Sequence, residues 1–281
     1  MEKINIVHMT PKDFAFAASL TDVMNWDLTE KDLGYMMDLE PEGCFVALDG
    51  AERAGVVTTV RFDNIGWIGA VMVDLEHRSK GVGSLLMKHA MDYLTSRSVK
   101  TIGLYSYVDT APFYERFGFK RDSSFIRLVG QGATGSIRVK TLKRMRESDL
   151  QDVVNLDGLC VGGSRERLLR RILMDSRELC YVARKNKQLV SFIMADWYRR
   201  EIGPWVCHPG FDAEAVNLLR VVLSRLAGLE VHIGVPEKRR EILDALRDMN
   251  FREELRVVRM YYGESLGDKG CLLAMESLER G

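Results

Sequence analysis

Apolar and polar positions along the chain follow the two periods that distinguish strands from helices. Short apolar runs at residues 44–48, 65–73 and 101–106 predict buried strands. Residues 82–94 carry apolar side chains at spacings of three and one, which predicts a helix with one buried face. The positions assigned to that face are Val82, Leu85, Leu86, His89, Ala90, Tyr93 and Leu94. The strand that ends at residue 73, the loop after it and this helix form the centre of a predicted α/β fold.

The rest of the pattern predicts a mixed β-sheet flanked by helices, and it predicts that sheet twice. Residues 1–130 read as β-α-α-β-β-β-α-β-α-β, and residues 137–281 repeat the order at an offset of about 132–136 positions. Small residues at 131–136 have little to bury and predict a linker. We therefore expect two tandem domains, 1–130 and 137–281.

The loop after the central strand has the composition of a phosphate site. It consists of Arg78, Ser79, Lys80, Gly81, Val82, Gly83 and Ser84. The first N–H groups of a helix have no partner within the helix, and the helix dipole favours an anion there. The two glycines let the backbone approach a ligand closely, and two cationic side chains flank them. An ordinary surface loop is the alternative that these residues alone leave open.

Composition and charge narrow the range of functions expected for the chain. The chain has 281 residues, with 40 Lys plus Arg against 40 Asp plus Glu, so its neutral balance gives no electrostatic case for nucleic acid or an anionic membrane. Five scattered cysteines, the lack of a signal peptide and the lack of a membrane-spanning run predict a reduced cytoplasmic protein. The five histidines show no metal-ligand spacing, so no metal is expected.

Two motifs resemble the signatures of the GNAT superfamily of N-acetyltransferases. Residues 78–83 match R-x-x-G-x-G, and residues 111–119 match A-x-F-Y-x-x-F-G-F, each in its proper place between strand and helix. The resemblance implies two tandem GNAT-like domains and acetyl-CoA as co-substrate. It also implies direct transfer of an acetyl group to a primary amine of a small molecule or peptide.

The resemblance also implies roles for individual residues. The coenzyme pyrophosphate would lie on the loop 78–84, and the main chain of Val71, Met72 and Val73 would run along pantetheine. Asp109 and Phe113 would also contact the coenzyme, although Asp109 stands where the superfamily usually has asparagine. Tyr114 would protonate the departing thiolate. A packed aromatic is the alternative for Tyr114.

The general base and the acceptor site are less defined. An amine near pKa ~10.4 is protonated at neutral pH, so a base must take a proton. Asp27 is the first candidate and Asp63 the second, with a solvated surface carboxylate as the alternative for each. Trp26 either stacks on the acceptor or fills the core.

The second half lacks the phosphate loop. Its counterpart, residues 207–214, has one glycine, no Lys or Arg, and two carboxylates. We therefore expect a degenerate domain that binds no coenzyme. Two functions remain: an N-acetyltransferase whose C-terminal domain shapes the acceptor cleft, or a non-catalytic acyl-CoA-binding sensor or interaction protein.

Overall fold

The computed structural model describes residues 4–22, 28–133, 142–267 and 269–281. The helices described are α1 (Phe14–Asp22), α2 (Glu30–Leu39), α3 (Val82–Ser96), α4 (Ala111–Glu115), α5 (Leu150–Val161), α6 (Glu166–Asp175), α7 (Asp212–Arg225) and α8 (Arg240–Asp248). The strands described are β1 (Asn5–His8), β2 (Cys44–Asp49), β3 (Glu52–Phe62), β4 (Ile65–Val73), β5 (Thr101–Tyr107), β6 (Lys120–Gln131), β7 (Leu142–Arg144), β8 (Tyr181–Lys185), β9 (Gln188–Ala195), β10 (Glu201–Cys207), β11 (Glu230–Pro236), β12 (Arg252–Gly263) and β13 (Leu272–Ala274). The predicted mixed α/β class is confirmed.

The chain forms two compact units. The first comprises residues 1–104, 262–264 and 280, and the second comprises residues 105–261, 265–279 and 281. In the first, strands lie in the order β1-β2-β3-β4-β5, antiparallel except for the parallel pair β4 and β5. In the second, the order is β12-β6-β11-β10-β9-β8-β7, with β13 on β10, and β10 and β11 are parallel.

The strand order confirms the internal duplication. Strands β1–β5 and β7–β11 repeat one pattern: three antiparallel pairings followed by one parallel pairing. Both fourth strands also carry a bulge where the register skips a residue. The bulge falls at Ala70 and Val71 in β4, and at Gly203 and Pro204 in β10. Ala70 takes the left-handed φ of +46° there, and such a bulge bends its strand locally.

The sequence pattern predicts β6 as the last strand of the sheet of the first repeat. The structure contradicts that placement. Strand β6 pairs with β11 from Phe125 to Gln131 and with β12 on its other side. Alternating burial defines the two faces of a strand, but it does not say which strand lies at its edge. The compact units therefore divide near residue 104. The repeat bounds 1–130 and 137–281 stay a prediction about the duplication.

The predicted face of α3 is buried at four of its seven positions, half-buried at His89 and Tyr93, and exposed at Leu85. Val82, Leu86, Ala90 and Leu94 are buried as expected, whereas Leu85 is 43% exposed. Each step of four residues advances about 40° around a helix, so the face drifts away from Leu85 and takes in Met87 instead. The side chains of Met72 and Met87 are buried and pack in the core.

The remaining sequence expectations concern connections. The linker predicted at 131–136 is wrong at its start, because Gln131 ends β6 and Gly132 forms a bridge with Ala227; residues 134–136 lie outside the described residues. Thr29 caps α2, and its side chain and that of Asp32 form a capping box. Among the described helices, none combines the length and the apolar character that a membrane crossing requires.

Candidate active site

The loop between β4 and α3 has the backbone expected of an anion cradle. Gly81 is the N-cap of α3 with φ +84°, and Ser79 is also left-handed with φ +63°. A Cβ placed on Gly81 would meet no atom within 4 Å. The helix begins at Val82, and the first backbone bond that it closes runs from Leu85 N to Gly81 O. The first N–H groups of α3 therefore have no partner within the helix, and the space beside the Cα of Gly81 is open.

A short hydrogen-bonded turn fixes the start of this loop. The N–H of Asp74 donates to Ala54 O at 3.0 Å, and its carboxylate accepts from the Glu76 N–H at 3.0 Å. The ring Nδ1 of buried His77 lies 3.2 Å from the same carboxylate oxygen. Burial raises the pKa of Asp74, but the hydrogen bonds from His77 and Glu76 outweigh it and hold that pKa below its usual range. These hydrogen bonds fix the backbone conformation at the point where the loop leaves β4.

Two cationic side chains of the loop lie at the surface. Arg78 and Lys80 are exposed, and Arg78 Nε donates to Val73 O at 3.3 Å. Exposed cations beside helix N–H groups that have no partner within the helix favour the binding of a phosphate from solution.

Strand β4 leaves β5 before it reaches the loop. The two pair only from Ile65 to Trp67, opposite residues 101–103. Among the described strands, β4 has only β3 and β5 as neighbours. The edge of β4 after Trp67, including Val71, Met72 and Val73, is therefore not paired with another described strand. An unpaired strand edge can bind an extended amide-containing ligand through its main chain.

Tyr114 lies on α4 in the second unit. Its ring packs edge-on against Phe113 at 5.0 Å and against Phe119 at 6.3 Å. The residue is half-buried, and among the described residues its hydroxyl has no hydrogen-bond partner. Burial raises the pKa of this phenol to about 12. The ring packs, as the packed-aromatic alternative expects, and the role of the hydroxyl as a proton donor stays a prediction.

The other two residues expected at the coenzyme flank α4. Asp109 is exposed and accepts a hydrogen bond from Thr110 Oγ1 at 3.3 Å. Phe113 is half-buried beneath the guanidinium of Arg116, which lies 5.1 Å from its ring centroid. Their roles stay predictions.

The acceptor-side residues are not brought together by the structure. Trp26 and Asp27 lie outside the described residues. Asp63 lies in the turn before β4, with φ +57°. A nine-residue strand rises about 30 Å, so Asp63 stands at the far end of β4 from Val73. Within the described ranges, no group of three or more His, Cys, Asp or Glu is placed to hold a metal ion.

The corresponding loop of the second repeat is built differently. Helix α7 begins at Asp212, and its first turn carries two acids, Asp212 and Glu214. Glu214 lies 3.7 Å from Lys185 Nζ, and Lys185 also covers the ring of Phe211. The helix dipole is therefore complemented by carboxylates of the chain itself. A pyrophosphate would meet like charges there.

In the second repeat, β10 and β11 part after a short pairing. The gap between them is filled by a later segment of the chain, which contains β13. Strands β10 and β11 pair only at Glu201 and Ile202. Beyond that point β13 pairs with β10 through Trp205 and Val206, and Met275 N donates across the gap to Gly234 O at 2.9 Å. In the first repeat, the corresponding edge of β4 is the one we expect to receive pantetheine.

Two strand glycines make room for this insertion. A Cβ on Gly203 would lie 1.8 Å from Met275 O, and one on Gly234 would lie 2.0 Å from Met275 Cε. Sequence reasoning missed this contact. Isolated glycines within predicted strands are the signal that could have indicated a close approach.

Two family models cover most of the chain. One, described as "Acetyltransferase (GNAT) family", matches residues 13–119. The other, described as "Acetyltransferase (GNAT) domain", matches residues 153–270. No protein among those with curated functions matches the sequence.

Solved structures share the fold over nearly the whole length. A putative acetyltransferase from Pyrococcus horikoshii superposes with a TM-score of 0.83 at 19% identity, covering 100% of this chain and 97% of that one. A GCN5-related N-acetyltransferase from Sphaerobacter thermophilus gives 0.70 at 14% identity, covering 92% and 95%. A tandem GNAT protein from the clavulanic acid biosynthesis pathway gives 0.61 at 12% identity, covering 95% and 100%. The chain therefore belongs to the GNAT acetyltransferase family, whose members transfer acyl groups from acyl-CoA to small-molecule or peptide acceptors, and it carries two GNAT domains in tandem.

Proposed function

We propose that the chain is an acetyl-CoA-dependent N-acetyltransferase with one coenzyme site, in its first repeat. The acetyl group passes directly from the thioester to a primary amine. The observation that carries this proposal is the left-handed, sterically open Gly81 at the N-terminus of α3, between exposed Arg78 and Lys80. The N–H groups at that helix start bind the pyrophosphate, and the unpaired edge of β4 runs along pantetheine.

The same strand edge supplies the electrophilic help that acyl transfer needs. When the amine attacks, the thioester carbonyl becomes a tetrahedral oxyanion. An N–H of Val71, Met72 or Val73 that has no sheet partner donates a hydrogen bond to that oxyanion. The bulge at Ala70 and Val71 lies within this unpaired stretch and bends the strand there.

Tyr114 acts on the leaving thiolate. With a pKa of about 12 its phenol is neutral across the physiological range. A coenzyme thiol near pKa ~8.5 is the stronger acid, so complete proton transfer from the phenol is uphill. The hydroxyl therefore contributes chiefly as a hydrogen-bond donor while the C–S bond breaks. Asp27 is retained as the proposed base, and Trp26 as the proposed acceptor contact. The part of the second repeat in shaping the acceptor cleft also stays a prediction.

Replacement of Tyr114 by phenylalanine tests the enzymatic proposal. We expect Tyr114→Phe to lower kcat with amine acceptors by about 10²-fold or more, while the affinity for acetyl-CoA changes little. Release of free coenzyme thiol with a panel of primary amines is the readout. Tyr105→Phe is the matched control, because Tyr105 is also a ring-packed tyrosine, at 5.0 Å from Phe125. It should cost stability without lowering kcat.

The pH profile adds a second readout. A phenol whose pKa is raised to about 12 loses its proton only as the pH approaches that value. The wild-type rate should therefore rise with pH as the acceptor amine deprotonates, with no fall from Tyr114 below about pH 11. Coenzyme binding without turnover of any amine would instead support the non-catalytic acyl-CoA binder.

A further inference from the structure

A buried histidine lies directly before the loop 78–84. His77 ends the short turn Leu75–His77, and Arg78 follows it at once. The side chain of His77 is only 7% exposed. A buried imidazole needs polar partners for its ring nitrogens, so the groups that face the ring indicate its role.

Two carboxylates face this ring from two different elements. The ring Nδ1 lies 3.2 Å from Asp74 Oδ1, which belongs to the same turn. The ring Nε2 lies 3.7 Å from Asp49 Oδ2, and Asp49 is the last residue of β2. The imidazole therefore bridges the start of the loop and the end of β2, in addition to the backbone bond that joins Asp74 N to Ala54 O on β3.

The chemistry of these partners favours one protonation state of the ring. A neutral imidazole has one N–H donor and one acceptor nitrogen, whereas an imidazolium has two donors. An ionised carboxylate only accepts hydrogen bonds and carries a negative charge. The doubly protonated ring is therefore the form that interacts favourably with Asp74 on one side and with Asp49 on the other.

The protonated ring also changes the charge at the base of the loop. Asp49 and Asp74 carry two negative charges, and an imidazolium at His77 cancels one of them. Within the described residues, no Lys or Arg pairs with either acid. Negative charge close to a polyanion weakens its binding, so the charge on His77 favours a pyrophosphate on the loop.

We propose that His77 is a positioning residue for the coenzyme: as an imidazolium between Asp49 and Asp74, it ties the start of the loop 78–84 to β2 and cancels a negative charge there. The inference rests on the proposed coenzyme site in the first repeat. His77 acts through the loop that follows it, and we assign it no contact with the coenzyme itself.

The chain offers a matched control in a second histidine between two carboxylates. His232 Nδ1 lies 3.2 Å from Glu254 Oε2, and its Nε2 lies 3.9 Å from Glu230 Oε1. His232 is on β11 in the second unit, and neither it nor its two partners belong to the proposed coenzyme site. Its replacement therefore reports the general effect of removing such a histidine.

Calorimetric titration of the whole chain with acetyl-CoA tests the role in binding. His77→Asn keeps a side-chain amide but removes the positive charge and the bridge to Asp49. We expect the dissociation constant for acetyl-CoA to rise about five- to tenfold, since one partly screened charge and one tether of the loop are lost. His232→Asn should leave the dissociation constant unchanged.

A second substitution separates the effect of charge from a merely structural role. In His77→Asn the carboxylates of Asp49 and Asp74 are left without their counter-charge. Adding Asp49→Asn to that variant removes one of the two negative charges, so we expect most of the lost affinity to return. A histidine that only fills space would give no such recovery, because the double variant has lost both partners of the contact.

Nuclear magnetic resonance of the wild-type chain tests the protonation state without coenzyme. Long-range ¹H–¹⁵N spectra, recorded at about pH 6, where an ordinary histidine is largely protonated, report whether both nitrogens of the His77 ring carry protons. We expect an imidazolium. This measurement and the titration are made at the same pH, and the spectrum does not require that any variant folds.

The outcomes distinguish this inference from the proposed function. A neutral His77 ring in the wild-type chain overturns the inference, and so does a His77→Asn variant that binds acetyl-CoA as tightly as wild type. In both cases wild-type binding of acetyl-CoA leaves the coenzyme site standing. If the wild-type chain binds no acetyl-CoA, the proposed function fails and the role of His77 fails with it.

Discussion

The fourth and fifth strands of the two repeats begin alike and end differently. β4 and β5 pair briefly and part, and so do β10 and β11. Both fourth strands carry a bulge at the matching place. In the first repeat the freed edge of β4 has no further strand partner among the described residues. In the second repeat β13 fills the gap and bonds to both sides through residues 271–275.

The difference extends to the helix that follows. The N-terminus of α3 presents free N–H groups beside an open glycine and exposed cations, whereas that of α7 carries Asp212 and Glu214. In the first repeat, an unpaired β4 edge occurs together with an open cationic loop. In the second repeat, a gap filled by β13 occurs together with an acidic helix start. We infer that parts of the second repeat occupy both places where the coenzyme would bind. Strand β13 lies in the place of pantetheine, and carboxylates lie in the place of pyrophosphate. We propose that the duplicated fold is kept for its architecture while its ligand site is closed.

The largest expected effect comes from a matched pair of loop glycines. Gly81 and Gly210 are both left-handed, with φ +84° and +89°, and both have open space where a Cβ would stand. Gly81→Val should therefore weaken acetyl-CoA binding by about 10²–10³-fold, the cost of losing one or two charge-assisted hydrogen bonds. Gly210→Val imposes the same backbone strain and should leave the affinity unchanged. Isothermal titration of both variants measures this, and equal losses would break the comparison.

The next effect concerns the filled split. Gly203→Ala places a methyl group 1.8 Å from a backbone oxygen that cannot rotate away. We expect a loss of about 3 kcal/mol in the free energy of unfolding, measured by urea denaturation. The acetyl-CoA affinity should stay at the wild-type value, and binding should remain one coenzyme per chain. A second coenzyme site in this variant would show that β13 alone, and not the acidic loop, excludes the ligand.

A double-mutant cycle then sharpens the role of Met275. Gly234→Ala conflicts with the side chain of Met275, the nearest atom being Cε at 2.0 Å. We expect a cost of about 1–3 kcal/mol for Gly234→Ala in wild type and a smaller cost in the Met275→Ala background. The coupling should be about 1 kcal/mol or more, because the two side chains compete for one space. Additive costs would mean that Met275 does not fill the split in solution.

The smallest effect is expected at Asp109. This exposed carboxylate stands where the family resemblance implies asparagine. Asp109→Asn removes a negative charge from the proposed surroundings of a polyanion, so we expect acetyl-CoA to bind a few-fold more tightly, about 0.5–1 kcal/mol at low salt. The gain should shrink as salt is added. Weaker binding would argue that Asp109 has another role, such as holding Thr110 at the start of α4.

Local sequence patterns were sufficient for much of the fold. The bounds of β4 and the start of α3 follow directly from apolar spacing, and the duplication follows from the repeated order. What local patterns could not supply are the partners of strands. β6 carries the same alternation whichever strand it joins, and β13 is only three residues long. The filling of the second split depends on contacts between residues far apart in sequence, such as Gly203 and Met275.

The candidate site divides in the same way. The glycine loop and Tyr114 belong to compact motifs whose chemistry can be read from neighbouring residues. The pKa of Tyr114 could not, because it depends on how deeply the ring is buried. Asp63 shows the converse case. This carboxylate was chosen by residue type, and it lies before β4, at the end of the strand opposite the proposed coenzyme loop.

The number of acetyl-CoA molecules bound per chain tests the central claim most directly. Calorimetric titration of the full chain should give one site, and Gly81→Val should weaken or abolish it while Gly210→Val leaves it intact. Two sites in the wild type, or one site that survives Gly81→Val and is lost in Gly210→Val, would contradict the assignment of an open first repeat and a closed second.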